Sequence, residues 1–199
     1  MPELVLATGN PGKLRELAAL LAPLEIEVVA QSALGVPEVE ETGLSFVENA
    51  LLKARNAARH TGLAALADDS GLCVDALDGA PGVRSARFAG PGADDAANRA
   101  RLRAALEGVE PARRGARFVC VLTLLRHAED PLPLICQGLW EGVIARSERG
   151  DHGFGYDPLF ELPGRDMTAA QLPPEEKNRL SHRGRALAGL REALGTRPL

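Results

Sequence analysis

The sequence predicts an α/β fold with a mixed sheet, and three features indicate this. A short apolar run, Leu4–Ala7, leads into a glycine-containing turn and then into apolar residues at helical spacing, which is a strand–turn–helix unit. A further apolar run at Leu63–Ala67 follows a second helical segment. Two strand-like runs, Arg117–Arg126 and Leu134–Arg146, then follow each other without a helix between them. Strands that alternate with helices, together with consecutive strands, predict a mixed sheet.

The remaining elements follow from composition and capping residues. Ile26–Ala30 has the composition of a second strand. The next helix is predicted to begin after Ser45, which forms a capping box with Glu48 in front of an apolar face. Asp94–Leu106 has an acidic start and a basic body, which suits the helix dipole. A last helix is predicted from about Ser181 to Leu194.

Length and composition indicate one globular domain over residues 1–199, or two closely packed lobes. The chain is 45% hydrophobic and 25% charged, which is typical of a domain that builds its own core. A net charge of −4 gives no basic excess for nucleic-acid binding. The sequence has no recognisable signal peptide and no run of about 18 apolar residues. We therefore expect a soluble, cytoplasmic protein that binds neither nucleic acid nor membrane.

Lysine is rare among the cations of this chain. Three lysines, Lys13, Lys53 and Lys177, stand against twenty arginines. Lys13 and Lys177 fall in candidate site segments, where a compact ammonium is not interchangeable with a forked guanidinium. Lys53 lies on the second predicted helix, and we expect it only to be solvated.

The first candidate site segment is Thr8-Gly9-Asn10-Pro11-Gly12-Lys13, between the first strand and the first helix. A helix N-terminus offers N–H groups and partial positive charge to a phosphate, and glycines allow a close backbone approach. Lys13 adds a mobile charge, but the glycine spacing is not that of a P-loop. The segment is either a phosphate-binding loop or an ordinary turn with a surface lysine.

The second candidate segment is acidic and follows an apolar strand. Asp68 and Asp69 are placed at the carboxyl end of that strand, where α/β sheets bind ligands. Mg²⁺ typically binds one or two carboxylates together with substrate phosphates, so these side chains are candidate ligands. Glu40 and Glu41 precede the capped helix and can bring further carboxylates to the same place. The alternative is that residues 68–71 form a polar hairpin turn.

The third candidate segment, Gly153-Phe154-Gly155-Tyr156-Asp157-Pro158, contains two of the seven aromatic residues. A Phe ring can stack on a nucleobase, and an Asp carboxylate can accept hydrogen bonds from base N–H groups. The alternative is a packed turn whose rings fill the core.

The fourth candidate segment, Glu176–Arg183, contains Lys177 and leads into the last helix. Ser181 is a predicted N-cap, which puts His182 and Arg183 in the first helical turn, where cations oppose the helix dipole. Such a local conflict indicates a functional role. The alternative is a surface helix start with incidental basic residues.

Together these segments resemble the inosine triphosphate pyrophosphatase family, which hydrolyses non-standard purine nucleoside triphosphates. The matching stretches, in family order, are LATGNPGKLREL, EETGLSFVENALLKA, ADDSGLCVDALDGAPGVRSARFAG, GFGYDP and EEKNRLSHR. They extend from Leu6 to about Leu190. The resemblance implies an elongated mixed β-sheet with flanking helices, two lobes around a central cleft, and a homodimer.

The resemblance also implies a role for each site residue. Asp69 would be the catalytic carboxylate and an Mg²⁺ ligand, with Glu40 as the second ligand and Glu41 and Asp68 as less certain neighbours. Ser70 would contact substrate, and the loop from Thr8 to Lys13 would hold the triphosphate. The base pocket would consist of Phe154, Gly155, Tyr156, Asp157, Lys177, His182 and Arg183.

The implied reaction converts ITP, dITP or XTP and water into the nucleoside monophosphate and pyrophosphate. Hypoxanthine and xanthine carry an acceptor oxygen where adenine carries an amino donor, so the donors Lys177, His182 and Arg183 favour 6-oxo purines. Two alternatives are a Maf-type pyrophosphatase acting on pyrimidine or modified nucleotides, and a non-catalytic nucleotide-binding module. The combination of carboxylates with a phosphate loop argues against the second.

Overall fold

The computed structural model describes residues 3–24 and 26–196, and within them six strands form one mixed sheet. The strands are β1 (Glu3–Ala7), β2 (Glu27–Ala30), β3 (Ala64–Val74), β4 (Gly115–Leu125), β5 (Leu134–Ile144) and β6 (Phe160–Glu161). Their order in the sheet is β2-β1-β3-β4-β5-β6. β1 runs parallel to both β2 and β3, whereas β5 and β6 are antiparallel. The predicted α/β fold with a mixed sheet is therefore confirmed.

The helices agree with the predicted ones and add a short one. They are α1 (Pro11–Leu21), α2 (Phe46–Thr61), α3 (Asp95–Ala105), α4 (Pro174–Leu180) and α5 (His182–Thr196). The predicted capping box is present at α2, where Ser45 Oγ accepts the Glu48 N–H and the Glu48 carboxylate accepts the Ser45 N–H. α4 was not predicted, although it begins with a proline at its first position. None of the described helices is both long and apolar enough to cross a membrane.

The largest difference from the predicted elements concerns β3. The sequence predicts a strand that ends at Ala67, followed by a possible hairpin turn, but β3 continues to Val74. The hairpin alternative and the placement of Asp68 and Asp69 after the strand are therefore wrong. Both aspartates lie within the strand and are 1% and 5% exposed. Polar residues inside a buried strand interrupt its apolar run, and for that reason the sequence indicates a break there.

The pairing of β1 with β3 shows how Asp68 lies relative to the predicted phosphate loop. β1 pairs with β3 from Leu4–Ala7 against Ala64–Ala67, and β1 ends there. Asp68 is thus the first residue of β3 beyond the pairing with β1. The turn that follows β1 carries the predicted phosphate loop, so the loop and Asp68 begin at the same level of the sheet.

The chain divides into two compact units, each with its own core. The first unit contains the described residues up to Asp69, Cys120–Gly138 and those from Arg183 onwards, and its core includes Leu6, Leu17, Leu66, Leu122 and Leu187. The second unit contains Ser70–Val119 and Leu139–His182, and its core includes Leu72, Phe118, Trp140, Tyr156 and Phe160. The predicted single domain over residues 1–199 and its central cleft stay predictions, and residues 1, 2, 25 and 197–199 lie outside the described residues.

Candidate active site

In the first unit, the predicted phosphate loop is a well-capped helix start. Asn10 is the N-cap of α1, and its Oδ1 accepts hydrogen bonds from the backbone N–H groups of Gly12 at 2.8 Å and Lys13 at 3.1 Å. Thr8 Oγ1 accepts the Asn10 N–H at 3.2 Å. The Thr8 and Asn10 side chains therefore shape the loop, and the full positive charge in it is that of Lys13.

Lys13 belongs to a buried ionic network centred on Asp68. The Lys13 Nζ lies 2.7 Å from Asp68 Oδ1, and the Nε of Arg183 donates to Asp68 Oδ2 at 2.8 Å. Arg183 also pairs with Glu16 of α1, and the Cys120 thiol donates to Asp68 Oδ2 at 3.3 Å. Burial and the nearby Asp68 carboxylate both raise the pKa of Cys120. Asp68 thus holds the lysine of the predicted phosphate loop in place.

Arg183 lies in a different environment from the one expected for a base-pocket residue. Its side chain is 2% exposed and contacts Asp68 and Glu16 of the first unit, whereas His182, its neighbour in sequence, belongs to the second unit. Burial alone would lower the pKa of Arg183, but the Asp68 carboxylate raises it above its ordinary value. The guanidinium is therefore a fixed cation within the ionic network.

A second lysine, Lys53, pairs with the predicted catalytic carboxylate. Its Nζ lies 2.7 Å from Asp69 Oδ1 and 2.9 Å from Glu41 Oε1. The Lys53 side chain is 13% exposed, so the expectation that it is merely solvated is wrong. Glu41 and Asp69 therefore both pair with the Lys53 ammonium. Glu40 is exposed and forms no ion pair with any residue that the structure describes.

The loop that carries Glu41 is held by α2. Asn49, buried within that helix, accepts the Gly43 N–H with its Oδ1 at 2.8 Å and donates to the Gly43 carbonyl at 3.4 Å. A Cβ on Gly43 would lie 2.7 Å from Asn49 Oδ1, so the contact requires glycine. These bonds fix the backbone between Glu41 and the start of α2.

Asp69 has one carboxylate oxygen in use and one available. Oδ1 is bound by Lys53, while Oδ2 is buried and has no hydrogen-bond partner among the described residues. Burial raises the pKa of Asp69 above its ordinary value, and the positive charges of Lys53 and Lys13 offset part of that rise. A buried acceptor without a partner costs free energy, which a bound ligand can recover.

These donors fit a hard divalent cation such as Mg²⁺. Mg²⁺ is usually held by one or two carboxylates, with waters and substrate phosphates as its other ligands. Asp69 Oδ2 and the Glu41 carboxylate are oxygen donors of that kind. Within the described residues, no group of three or more His, Cys, Asp or Glu side chains forms a ready metal cage. A cation held by these two carboxylates would take its remaining ligands from water and substrate phosphates.

In the second unit, three of the predicted base-pocket residues come together. Asp157 is 3% exposed, and its Oδ2 accepts hydrogen bonds from the Phe154 N–H at 2.9 Å and from Lys177 Nζ at 2.8 Å. The ammonium of Lys177 lies 5.0 Å from the centre of the Phe154 ring. A Cβ on Gly153 would lie 2.1 Å from the same Asp157 oxygen, so the loop requires glycine there.

The two rings of this loop have different surroundings. Tyr156 is 4% exposed, lies in the core of the second unit, and donates its hydroxyl to the Ser85 carbonyl at 2.8 Å. Burial, and to a lesser extent Asp95, raises the pKa of Tyr156. Phe154, in contrast, is only half-buried. The packed-turn alternative therefore describes Tyr156, while Phe154 keeps part of its ring accessible.

His182 and Ser70 complete the predicted residues of the second unit. His182 is 6% exposed, and its ring stacks on Phe118 with centroids 4.8 Å apart and planes at 14°. The Trp140 ring is also stacked with the His182 ring, with centroids 6.4 Å apart. Ser70 is half-buried in β3, directly after Asp69 in the chain. The predicted substrate contacts of these two residues stay predictions.

Helix α3 also contributes to the loop, which the sequence did not indicate. The Gly155 N–H donates to Asp95 Oδ2 at 2.7 Å, and the Gly155 carbonyl accepts from Arg99 at 3.0 Å. Both side chains come from a segment that was recognised only as a helix. The helical spacing of Asp95 and Arg99 puts them on one face, but no local signal connects that face to a distant loop.

The chain is similar to several known proteins over nearly its whole length. A model of the Ham1 family matches residues 4–193. A dITP/XTP pyrophosphatase from Methylococcus capsulatus is 62% identical over 192 residues, which is 96% of each chain. The structure of a HAM1 protein from Coxiella burnetii has a TM-score of 0.91 at 52% identity and covers 98% of this chain and 100% of its own. A nucleoside-triphosphatase / dITP/XTP pyrophosphatase from Mycobacterium abscessus has a TM-score of 0.76 at 50% identity, covering 94% and 98%.

Proposed function

The chain belongs to the Ham1 family, and on that basis we propose that it hydrolyses dITP, XTP and ITP to the nucleoside monophosphate and pyrophosphate. Two of the similar proteins are named for dITP and XTP, which favours this activity over the Maf-type alternative. The observation that carries the proposal is the pairing of Lys53 with Asp69, which leaves a buried carboxylate oxygen available in the same unit as the phosphate loop.

Triphosphate binding is assigned to the loop from Thr8 to Lys13. The N-terminus of α1 carries partial positive charge, which favours an anion. Lys13 is held by Asp68, yet an ammonium has three donors, so others remain for phosphate oxygens. Because its position is fixed before substrate arrives, Lys13 can stabilise the charge that develops on the phosphate in the transition state.

Activation of the attacking water is assigned to Asp69. Its Oδ1 is held by Lys53, so the carboxylate has one orientation. Oδ2 has two lone pairs, so one can accept the proton of a water molecule while the other remains for a metal ion. Burial raises the pKa of Asp69, which makes the carboxylate a stronger base than an exposed one. Attack at the α-phosphorus, which the family resemblance implies, then releases pyrophosphate.

Asp69 and Glu41 would hold Mg²⁺, and Glu40 is the other carboxylate that the sequence offers for the second position. When bound, Mg²⁺ would neutralise phosphate charge and stabilise the leaving pyrophosphate. Lys53 keeps the two carboxylates close together against their mutual repulsion.

Base recognition is assigned to the loop from Phe154 to Asp157 together with Lys177 and His182. The accessible part of the Phe154 ring can stack on a base, and Lys177 can donate to the C6 oxygen of hypoxanthine or xanthine. Adenine presents an amino donor at that position, so Lys177 would find no acceptor on the base there. A site that depends on such a hydrogen bond can discriminate by about 10⁴–10⁵. For Arg183, the contacts with Asp68 and Glu16 support a role in holding the network, and its predicted contact with the base is a second role to be tested.

We also propose that the protein is a cytoplasmic homodimer, as the family resemblance implies. Light scattering of the purified protein is expected to give twice the mass of one chain. A monomer at micromolar concentration would contradict the dimer and leave the proposed activity unaffected.

A substrate panel tests the proposed activity. The purified protein, with Mg²⁺, is incubated separately with dITP, XTP, ITP, ATP and dTTP, and the products are separated by anion-exchange chromatography. We expect monophosphate and pyrophosphate from the first three nucleotides and far slower hydrolysis of the last two. Comparable hydrolysis of dTTP would favour the Maf-type alternative, and orthophosphate as the first product would contradict a pyrophosphatase.

A further inference from the structure

Gly155 lies in the loop from Gly153 to Pro158, to which base recognition is assigned. Side chains of helix α3 form hydrogen bonds with both its N–H and its carbonyl. The Gly155 N–H donates to Asp95 Oδ2 at 2.7 Å, and the Gly155 carbonyl accepts from Arg99 Nη1 at 3.0 Å. Asp95 and Arg99 are one helical turn apart on α3, so their side chains extend from the same face. Gly155 cannot shift without losing two hydrogen bonds to charged groups, which are stronger than bonds between neutral groups.

Asp95 and Arg99, which together clamp Gly155, are each stabilised by their own surroundings. Asp95 lies in the first turn of α3, where the helix dipole favours a carboxylate. Arg99 also donates from Nε to Glu148 at 2.9 Å, and its side chain is 17% exposed. The guanidinium therefore links the Gly155 carbonyl to a carboxylate near the end of β5, and it loses little conformational freedom when substrate binds.

The backbone conformation of Gly155 explains why the hydrogen bonds with Asp95 and Arg99 are needed. Its φ is 62°, in the left-handed region, while a Cβ there would meet nothing within 4 Å. Glycine is required by the backbone angle and not by crowding, and a glycine of this kind is free to adopt other conformations. The bonds to Asp95 and Arg99 select one of them.

We propose that Asp95 and Arg99 are positioning residues for recognition of the base, a role that rests on the proposed function of the loop. The N–H of Phe154 is bound by Asp157, and the next residue, Gly155, is bound by the clamp. The backbone is thus fixed on both sides of Phe154, whose ring lies near the Lys177 ammonium. A loop that is ordered before substrate arrives avoids the entropy cost of ordering on binding.

Steady-state kinetics with dITP test this role. In Asp95→Ala and Arg99→Ala, we expect KM to rise about tenfold, with kcat within about twofold of the unaltered protein, because loop order affects binding more than chemistry. Asp95→Asn should restore KM to within about threefold, since the Asn oxygen also accepts an N–H. Arg103→Ala, which removes an exposed arginine of the same helix with no ion pair among the described residues, is the matched control and should leave KM unchanged.

Two further readouts separate positioning from a general loss of structure. The inhibition constant of inorganic tripolyphosphate, which lacks a base, should be the same in Asp95→Ala as in the unaltered protein. Amide hydrogen exchange should become faster over residues 153–157 in Asp95→Ala. The proposal would be overturned if KM rises and the inhibition constant of tripolyphosphate rises by the same factor. It would also be overturned if amide exchange becomes faster while KM is unchanged, or if amide exchange is unchanged.

Failure of the proposed function would look different. If the unaltered protein does not hydrolyse dITP, XTP or ITP, the activity itself is wrong, whatever the exchange of the loop amides shows. If it does hydrolyse them and the Asp95→Ala KM is unchanged, only the positioning role is wrong.

Discussion

Both units contain buried lysine–aspartate pairs, and the aspartates bound by Lys53 and Lys177 differ in what else they bind. In the first unit, Lys53 binds one oxygen of Asp69, and the other oxygen is buried without a hydrogen-bond partner among the described residues. In the second unit, Lys177 and the Phe154 N–H both donate to the same oxygen of Asp157. Asp69 therefore keeps acceptor capacity for a ligand, whereas Asp157 Oδ2 holds a loop N–H and a lysine together.

This difference gives the two aspartates different expected roles, ligand binding for Asp69 and loop conformation for Asp157. A buried carboxylate with an available oxygen is unfavourable in the free protein, because the lost hydration is not replaced. Such a cost is expected where water, metal or phosphate is to bind. A carboxylate bound to a lysine and a loop N–H instead stabilises one conformation of the loop. We therefore expect matched substitutions in the two pairs to affect different kinetic constants.

The largest expected effect is that of Asp69→Asn, compared with Asp157→Asn. Asp69→Asn removes the proton acceptor, and we expect kcat for dITP to fall about 10³-fold while nucleotide binding, measured by titration calorimetry, persists. Asp157→Asn loses the ion pair with Lys177 but keeps an acceptor for the Phe154 N–H. We expect it to raise KM about tenfold and to change kcat by less than about threefold.

The reverse pattern would contradict the comparison. Near-normal kcat in Asp69→Asn would transfer the catalytic role, first to Asp68, whose carboxylate binds Lys13 in the same unit. A large loss of kcat in Asp157→Asn with unchanged KM would show that the second pair takes part in the chemistry.

A smaller effect distinguishes Glu41 from Glu40. Glu41 and Asp69 both pair with Lys53, while Glu40 is exposed. Glu41→Gln should therefore weaken the activation by Mg²⁺ more than Glu40→Gln does. We expect the Mg²⁺ concentration for half-maximal rate to rise about 10-fold to 100-fold in Glu41→Gln and by less than about threefold in Glu40→Gln. The measurement is a titration of the dITP hydrolysis rate with MgCl₂, and the opposite ranking would restore Glu40 as the second ligand.

Much of the fold and part of the site could be predicted because the signals are local. The capping box of Ser45 and Glu48 gave the start of α2, and the glycine-containing turn after Leu4–Ala7 gave the β1–α1 loop. The loop from Gly153 to Asp157 was recognised by its glycines and aromatic residues, and the structure brings Lys177 to it. In each case the residues that carry the signal are close together in sequence.

The features that were missed depend on contacts between distant residues. Asp68 and Asp69 interrupt an apolar run, so β3 was predicted to end there, but buried cations compensate their charges and the strand continues. Lys53 has an ordinary position on an amphipathic helix, and nothing local connects it to Asp69. The contacts of Asp95 with Gly155 likewise join a helix to a loop far along the chain.

Lysine usage indicates three buried ion pairs with aspartates in this chain. All three lysines of the chain are largely buried and paired with aspartates, Lys13 with Asp68, Lys53 with Asp69, and Lys177 with Asp157. The same reasoning that marked Lys13 and Lys177 applies to Lys53. In a chain that otherwise uses arginine, a lysine is a candidate for a site where one compact ammonium group is needed.

Hydrolysis of dITP in ¹⁸O-labelled water tests the central claim most directly. If water activated at Asp69 attacks the α-phosphorus, the label will be found in the phosphate group of the deoxyinosine monophosphate, and the pyrophosphate will be unlabelled. Mass spectrometry of the two products distinguishes these positions. Label in the pyrophosphate, or release of labelled orthophosphate, would contradict the proposed reaction.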